Sequence, residues 1–342
     1  MILSRRFPLH LTIAYALRTA SMGAAWAFAV FLAYATLGWE FLRIPFLPVS
    51  TIGTAVAFYV GFKNNAAYER FWEGRKIWGG IVNASRTWTA AVLSYVEPGV
   101  DSEGAQATRR ELIYRQLAWI NALRLQLRKT SRFFDRPSRT TKRRLQRHDD
   151  HMRNDWSVEL APFLPPEELA ATGAQANPAA HMLTRQGQRL GALVREQRLD
   201  LFHQIALMEV VQELYGLQGK CERIKNTPFP RQYAEYSRIF VKAFVVAVPF
   251  GLLDVFAEHV NEAVSVLDTW LPVIPMILAS AAITWVFVTM EGIGDSSEDP
   301  FERSMNDVPM NALCRGIEID LRQLLGETEV PEKEQPIHGL LY

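Results

Sequence analysis

The chain has 342 residues, 49% hydrophobic and 21% charged, with 37 Lys+Arg against 36 Asp+Glu for a net charge of +1. That is too apolar for a disordered chain and too evenly charged for a nucleic-acid polycation, and two cysteines make no disulfide framework. The mean hydropathy of −0.02 would suit about two soluble domains, but it averages over a very uneven distribution.

The first charge-free run extends from about Ala20 to Trp39 and the second from Ile44 to Phe62. Each meets the roughly 20 apolar residues that a helix needs to cross the hydrocarbon core. Arg5 and Arg6 before the first run resemble the start of a signal peptide. Arg18 interrupts that pattern, the run exceeds a signal core, and a second apolar run follows at once, so the first reads as a retained span. Within the second run, Gly53, Ala57 and Gly61 recur every four residues, a small-residue stripe that lets another helix approach. Beside it Thr54, Phe58 and Phe62 recur at the same interval. That aromatic stripe either faces a central axis, where rings of phenyl groups gate ions by dewetting, or faces lipid or the core.

The run from Gly61 to Trp88 then crowds Lys63, Asn64, Asn65, Glu69, Arg70, Glu73, Arg75 and Lys76 onto an aromatic helix, with Arg70 spaced to pair with Glu73. Leu112, Ile113, Leu117, Ile120, Leu123 and Leu127 have helical spacing within 109–132. A stretch rich in Arg runs from Arg139 to Arg147 and reads as a solvated face. His148-Asp149-Asp150-His151 has metal-ligand residue types, but consecutive residues do not converge on one metal from a helix, so no metal is expected there. A loop over 161–180 holds Pro165-Pro166-Glu167-Glu168, a helix-start pattern. A second long helical stretch is expected from Leu190 to Gly219. The third apolar segment, Ile239 to Phe256, is interrupted by Lys242 and Asp254 and contains Pro249, which neighbouring helices can accommodate. The fourth, Leu271 to Met290, is uncharged. After Gly326 the tail is polar and is expected to be loose.

No Walker A loop, GxSxG elbow or HExxH helix occurs. The absence of persistent strand alternation makes the chain all-α: four transmembrane helices plus a helical body. Of the 37 Lys+Arg, 28 lie from Lys63 to Arg238. The joint after the third span carries Glu258, Glu262 and Asp268 with no Lys or Arg. The positive-inside rule therefore places the central body and both termini in the cytoplasm of a multi-pass inner (plasma) membrane protein, with Trp39 and Trp270 at the outer interface. Cys221 and Cys314 are then cytosolic and reduced. The expected divisions are 1–62 (N-terminal segment and spans one and two), 63–238 (helical cytosolic region), 239–293 (spans three and four) and 294–342 (cytosolic C-terminal segment).

Three runs, Gly61 to Trp88, Cys221 to Arg238 (CERIKNTPFPRQYAEYSR) and Asp299 to Leu321 (DPFERSMNDVPMNALCRGIEIDL), resemble the bestrophin family in its bacterial branch. The resemblance implies a homopentameric channel rather than an enzyme, without cofactor or nucleic-acid partner. It would pass small monovalent ions, chloride-type anions or Na+/K+ cations. It also implies that Thr54, Phe58 and Phe62 form a pore neck, with Thr54 standing where the family often has an aliphatic residue. Phe202 or Ile205 would form a second, cytosolic aperture. Animal members bind calcium through an acidic run after an Asn-Pro-Phe-like motif. Here the matching run, Glu302-Arg303-Ser304-Met305-Asn306-Asp307, has too few carboxylates for Ca²⁺, so no calcium site is expected. The rival readings are a membrane-bound enzyme or sensor, and a membrane-anchored scaffold recruiting a soluble partner through its basic face.

Overall fold

The computed structural model describes residues 9–99, 102–129, 153–261, 273–302, 306–337 and 339–342. Arg5, Arg6, the Arg139–Arg147 run, His148–His151, Glu262, Asp268, Trp270 and Arg303–Met305 lie outside them. The helices are α1 (Leu9–Leu37), α2 (Phe46–Tyr95), α3 (Glu103–Arg128), α4 (Trp156–Leu160), α5 (Pro166–Gly173), α6 (Pro178–Arg195), α7 (Leu201–Asn226), α8 (Arg231–Asn261), α9 (Val273–Ser297) and α10 (Met310–Leu324). No strand occurs among the described residues. The chain divides into two compact units. One is Ser4–Glu69 with Phe229–Glu298, and the other combines Arg70–Pro228 with Asp299–Tyr342.

The first unit holds four segments long and apolar enough to cross a membrane, within Ala16–Leu37, Glu40–Tyr95, Arg231–Phe256 and Val273–Ser297. α1 packs on α9 and α8, and α8 on α9. Ala27, Phe31, Val56, Val60, Phe244 and Val248 are buried between them. The charge that interrupts the third span has a structural use. Asp254 accepts from Arg43 Nε at 2.7 Å and from the backbone N–H of Phe46 at 3.2 Å. It thereby satisfies an unpaired donor and the positive dipole end where α2 begins. Pro249 lies inside a continuous α8. In the turn before it, the Val246 carbonyl accepts from Trp26 Nε1 at 3.0 Å.

Of the two glycines in the small-residue stripe of α2, only Gly53 packs closely. A Cβ on Gly53 would stand 2.6 Å from ring atoms of Phe244, whereas one on Gly61 would meet nothing within 4 Å. The buried face of α2 is instead Gly53, Val56, Val60, Lys63 and Ala67, which turns Gly61 outward. Gly53→Leu should therefore lower the thermal midpoint of the detergent-solubilised protein, by an overpacking cost of about 1–3 kcal/mol. Gly61→Leu should leave it unchanged. Equal effects from the two would contradict this packing.

In the second unit α3 is surrounded. Its six predicted apolar residues are all buried, and so are Arg115, Gln116, Asn121 and Arg124. Each of these buried polar side chains makes at least one hydrogen bond, as low-dielectric burial demands. Arg124 donates to Glu159 at 2.6 Å and to Asn311 at 2.8 Å, which ties α3 to α4 and α10. Arg115 grips both carboxylate oxygens of Glu168, at 2.7 and 3.0 Å. Cys221 and Cys314 are buried free thiols. Burial pushes both upward, Cys314 to about 12, which keeps them protonated and unreactive.

Three expectations need correction here. The stretch Leu190–Gly219 is two helices, because Gln197 takes a left-handed φ of 57° and Asp200 caps the next helix at the Phe202 N–H. The 161–180 segment is not all loop: helix α5 starts at the expected Pro165-Pro166-Glu167-Glu168 pattern, with Pro166 in its first turn, and α6 begins within the same segment, capped by Asn177. The C-terminal tail is strapped down rather than loose. Glu327 accepts from Arg322 Nε at 2.6 Å and from Tyr114 at 2.9 Å, and Arg322 also donates to the Glu329 carbonyl at 2.8 Å. Further along, the Ala312 N–H donates to the carbonyl of Tyr342 at 2.9 Å.

Burial alone would raise the Glu327 carboxyl, but Arg322, Tyr114 and Arg110 outweigh it and hold the group below its ordinary value of 4.5. A lowered carboxyl contributes stability that is complete above 4.5 and is lost as pH falls through the lower folded value. The protection of the Glu327 and Ile337 amides, which donate to the carbonyls of Arg322 and Leu340, should therefore be full at neutral pH and fall below about pH 4.5. Glu327→Gln should exchange fast at both.

Candidate functional site

Residues on α2 follow two faces. Val56, Val60, Lys63 and Ala67 point into the first unit, so by the 3.6-residue period Thr54, Phe58 and Phe62 must point away from it. Phe58 is 67% exposed and Phe62 71%. Neither ring fills the subunit's own core, which removes one of the alternatives left open by the sequence. Thr54 is also exposed, and its hydroxyl donates to the Ser50 carbonyl at 3.0 Å. With its proton committed within the helix, the threonine presents a less polar surface than its formula suggests.

The same outward row continues through Asn65, Glu69, Trp72 and Lys76, all exposed. Asn65 donates to Glu69 at 3.1 Å, one helical turn along. The apolar stripe thus gives way to a polar one immediately after Phe62.

The rotation of α2 is set by a buried charge. Lys63, with its side chain 0% exposed, donates to Glu291 at 2.8 Å and to Asp295 at 2.9 Å. Asp295 is also paired with Arg238 at 3.0 Å, and Asn64 donates to the Met290 carbonyl at 2.9 Å. A Cβ on Gly294 would lie 2.2 Å from Asn64 Oδ1, so glycine is what admits this contact. Sequence reading noticed Lys63 only as one of several charges. The usable signal was Glu291 and Asp295, one turn apart on the fourth span.

In the second unit α7 buries Leu207, Val211, Leu214, Cys221 and Ile224 and leaves the opposite face uncovered. Phe202 is 78% exposed and Ile205 53%. That face continues through Glu209, Gln212, Glu213 and Gly216, all exposed. Phe202 and Ile205 therefore share a free surface, and the two glutamates beside them were missed by sequence reasoning.

The Arg70–Glu73 pair expected from spacing does not form. Arg70 donates to the carbonyls of Ile224 at 2.5 Å and Thr227 at 2.7 Å, and Glu73 pairs with Arg223 instead. Arg70 thus holds the end of α7, where open carbonyls attract a cation. Glu302, the first acidic residue of the run compared with the calcium clasp, is engaged by Lys225. No cluster of three or more metal-ligating residues forms among the described residues.

Four apolar helices around a common core, joined to an all-helical body, define an integral membrane protein. A family model described as "Bacterial/Fungal Bestrophin protein" matches residues 9–323, and the chain belongs to that family. A relative from Escherichia coli, named a voltage-dependent anion channel-forming protein, is 30% identical over 303 residues, covering 89% of this chain and 83% of its own. A relative of the same description from Ralstonia nicotianae is 31% identical over 287 residues, covering 84% and 79%. Among solved structures, a bacterial bestrophin homologue from Klebsiella pneumoniae superimposes with a TM-score of 0.72. It is 24% identical and covers 92% of this chain and 99% of its own, a likeness of fold.

Proposed function

We propose that the protein is a homopentameric channel that passes small monovalent ions passively. The observation that carries this reading is the Thr54, Phe58 and Phe62 row, aromatic and exposed on a span whose opposite face is locked in place. A cyclic assembly turns each residue of that row into a ring, and rings of phenyl groups make a hydrophobic neck. Phe202 or Ile205 forms the second, cytosolic aperture. The protein sits in the inner membrane with both termini and the central body on the cytoplasmic side. It uses no cofactor and carries out no catalytic step.

The names of the relatives favour anions. Glu209 and Glu213, exposed on the same α7 face as Ile205, favour cations by simple attraction. A reversal potential across a salt gradient, recorded from purified protein in planar bilayers, decides between the two signs. The channel itself is tested by ion flux into liposomes. No flux with any monovalent salt at any pH would reject it in favour of a membrane-anchored scaffold or sensor. The native mass of the solubilised assembly should be about five subunits, and a monomer or dimer would refute the ring.

A further inference from the structure

Between α1, α8 and α9 lies a cavity of about 530 Å³. Met22 and Trp26 from α1, Val245 and Val246 from α8, and Val288 from α9 make its walls apolar. Met22, Trp26 and Val246 are also exposed, so the cavity opens on the outer surface of the span bundle. Such lining does not hold ordered water, which needs several polar partners.

Its charged residues lie on the Arg231 side of α8: Arg238 and Lys242 from that helix and Glu291 from α9. Arg238 and Glu291 are already committed, to Asp295 and Lys63. The Lys242 ammonium has no ion pair or hydrogen bond among the described residues. Neither has the guanidinium of Arg18, which precedes Met22 and Trp26 by one and two turns on the same face of α1. The Thr284 hydroxyl is packed against Gly23 of α1 and does not face the slot. An apolar slot with two unmatched cations at one end has the charge and shape of a lipid site. Long basic side chains on a span reach toward the interface, where acidic headgroups lie.

We propose that this cavity binds one acyl chain of an anionic phospholipid whose phosphate is held by Lys242 and Arg18. The lipid comes from the leaflet at the Arg231 end of α8, the cytoplasmic one in the orientation proposed above. The inference rests on α1, α8 and α9 spanning the membrane and is independent of ion conduction.

Native mass spectrometry of the intact, detergent-purified full chain tests it, titrating phosphatidylglycerol against phosphatidylcholine of identical acyl chains. Phosphatidylglycerol should be retained at one per subunit and phosphatidylcholine lost. Lys242→Gln and Arg18→Gln should each weaken retention about fivefold. Val246→Trp, on the exposed rim, should fill the slot and abolish retention while the assembly mass stays the same. Equal retention of the two lipids, or undiminished phosphatidylglycerol retention in both Gln variants, overturns the proposal. If Val246→Trp does not assemble, the two Gln variants still decide the matter.

Discussion

Lys63→Met should be among the most damaging single substitutions in this chain, with a loss of about 3–5 kcal/mol. The side chain is wholly buried, and its ammonium lies within 3 Å of both Glu291 and Asp295. Methionine preserves most of the stem volume and removes the charge, so packing alone predicts a mild effect. Electrostatics predicts a severe one, because Glu291, Asp295 and, at 3.8 Å, Glu298 lose a shared counter-ion. Asp295 retains Arg238, whereas Glu291 has no other ion-pair partner among the described residues and bears the larger penalty. Set against a typical total stability of about 5–15 kcal/mol, the loss should sharply reduce the yield of assembled protein and its thermal midpoint in detergent. Adding Glu291→Gln to Lys63→Met should recover part of the loss, since a neutral amide costs less to bury than an unpaired carboxylate. A Lys63→Met protein with wild-type yield and midpoint would show that water reaches this site freely.

The consequence extends beyond stability. Lys63 follows Phe62 directly and points about 100° around the helix from it. Fixing the lysine inward fixes the phenyl ring outward. The sequence shows that Thr54, Phe58 and Phe62 share a stripe, because four-residue spacing is a local property of any helix. It does not show which way the stripe faces, because that depends on the pairing of Lys63 with residues 228 and 232 positions away.

The same division runs through the rest of the molecule. The four spans are legible because the hydrocarbon core imposes length and apolarity on each segment separately. The α3 core positions are legible because periodicity is local. The break between α6 and α7 was visible in principle, since Asp200 has the right chemistry for a cap, but the strong apolar pattern on both sides masked it. The tail attachment was not visible. Glu327 meets Tyr114 across 213 positions, and a run of Glu, Pro and Lys has the composition of a free end. Phe202 and Ile205 do lie on an uncovered face, but Glu209 and Gln212 share it, so exposure does not rank them.

Phe58→Ala combined with Phe62→Ala should raise single-channel conductance on the order of tenfold while leaving the protein folded. Both rings are largely exposed, and substitutions at such positions usually change stability by no more than about 0.5 kcal/mol. The fold is therefore insulated from the change, and any altered flux reports on the permeation path. In the proposed ring, truncation replaces successive phenyl girdles by methyl groups. A wider constriction stays wet, and a permeating ion keeps more of its hydration. A tenfold rise needs the barrier to fall by only about 1.4 kcal/mol, a small part of the cost of stripping water from an ion. Phe62→Leu should change conductance much less, because it keeps the ring of side chains apolar and nearly as bulky. Phe202→Ala, on a different helix, serves as the comparison. If the neck limits conduction, it should alter the ratio of anion to cation permeability more than the total current. Bilayer recordings with the double variant at wild-type conductance would place Phe58 and Phe62 against lipid, and the pore would have to be sought on another face of the bundle.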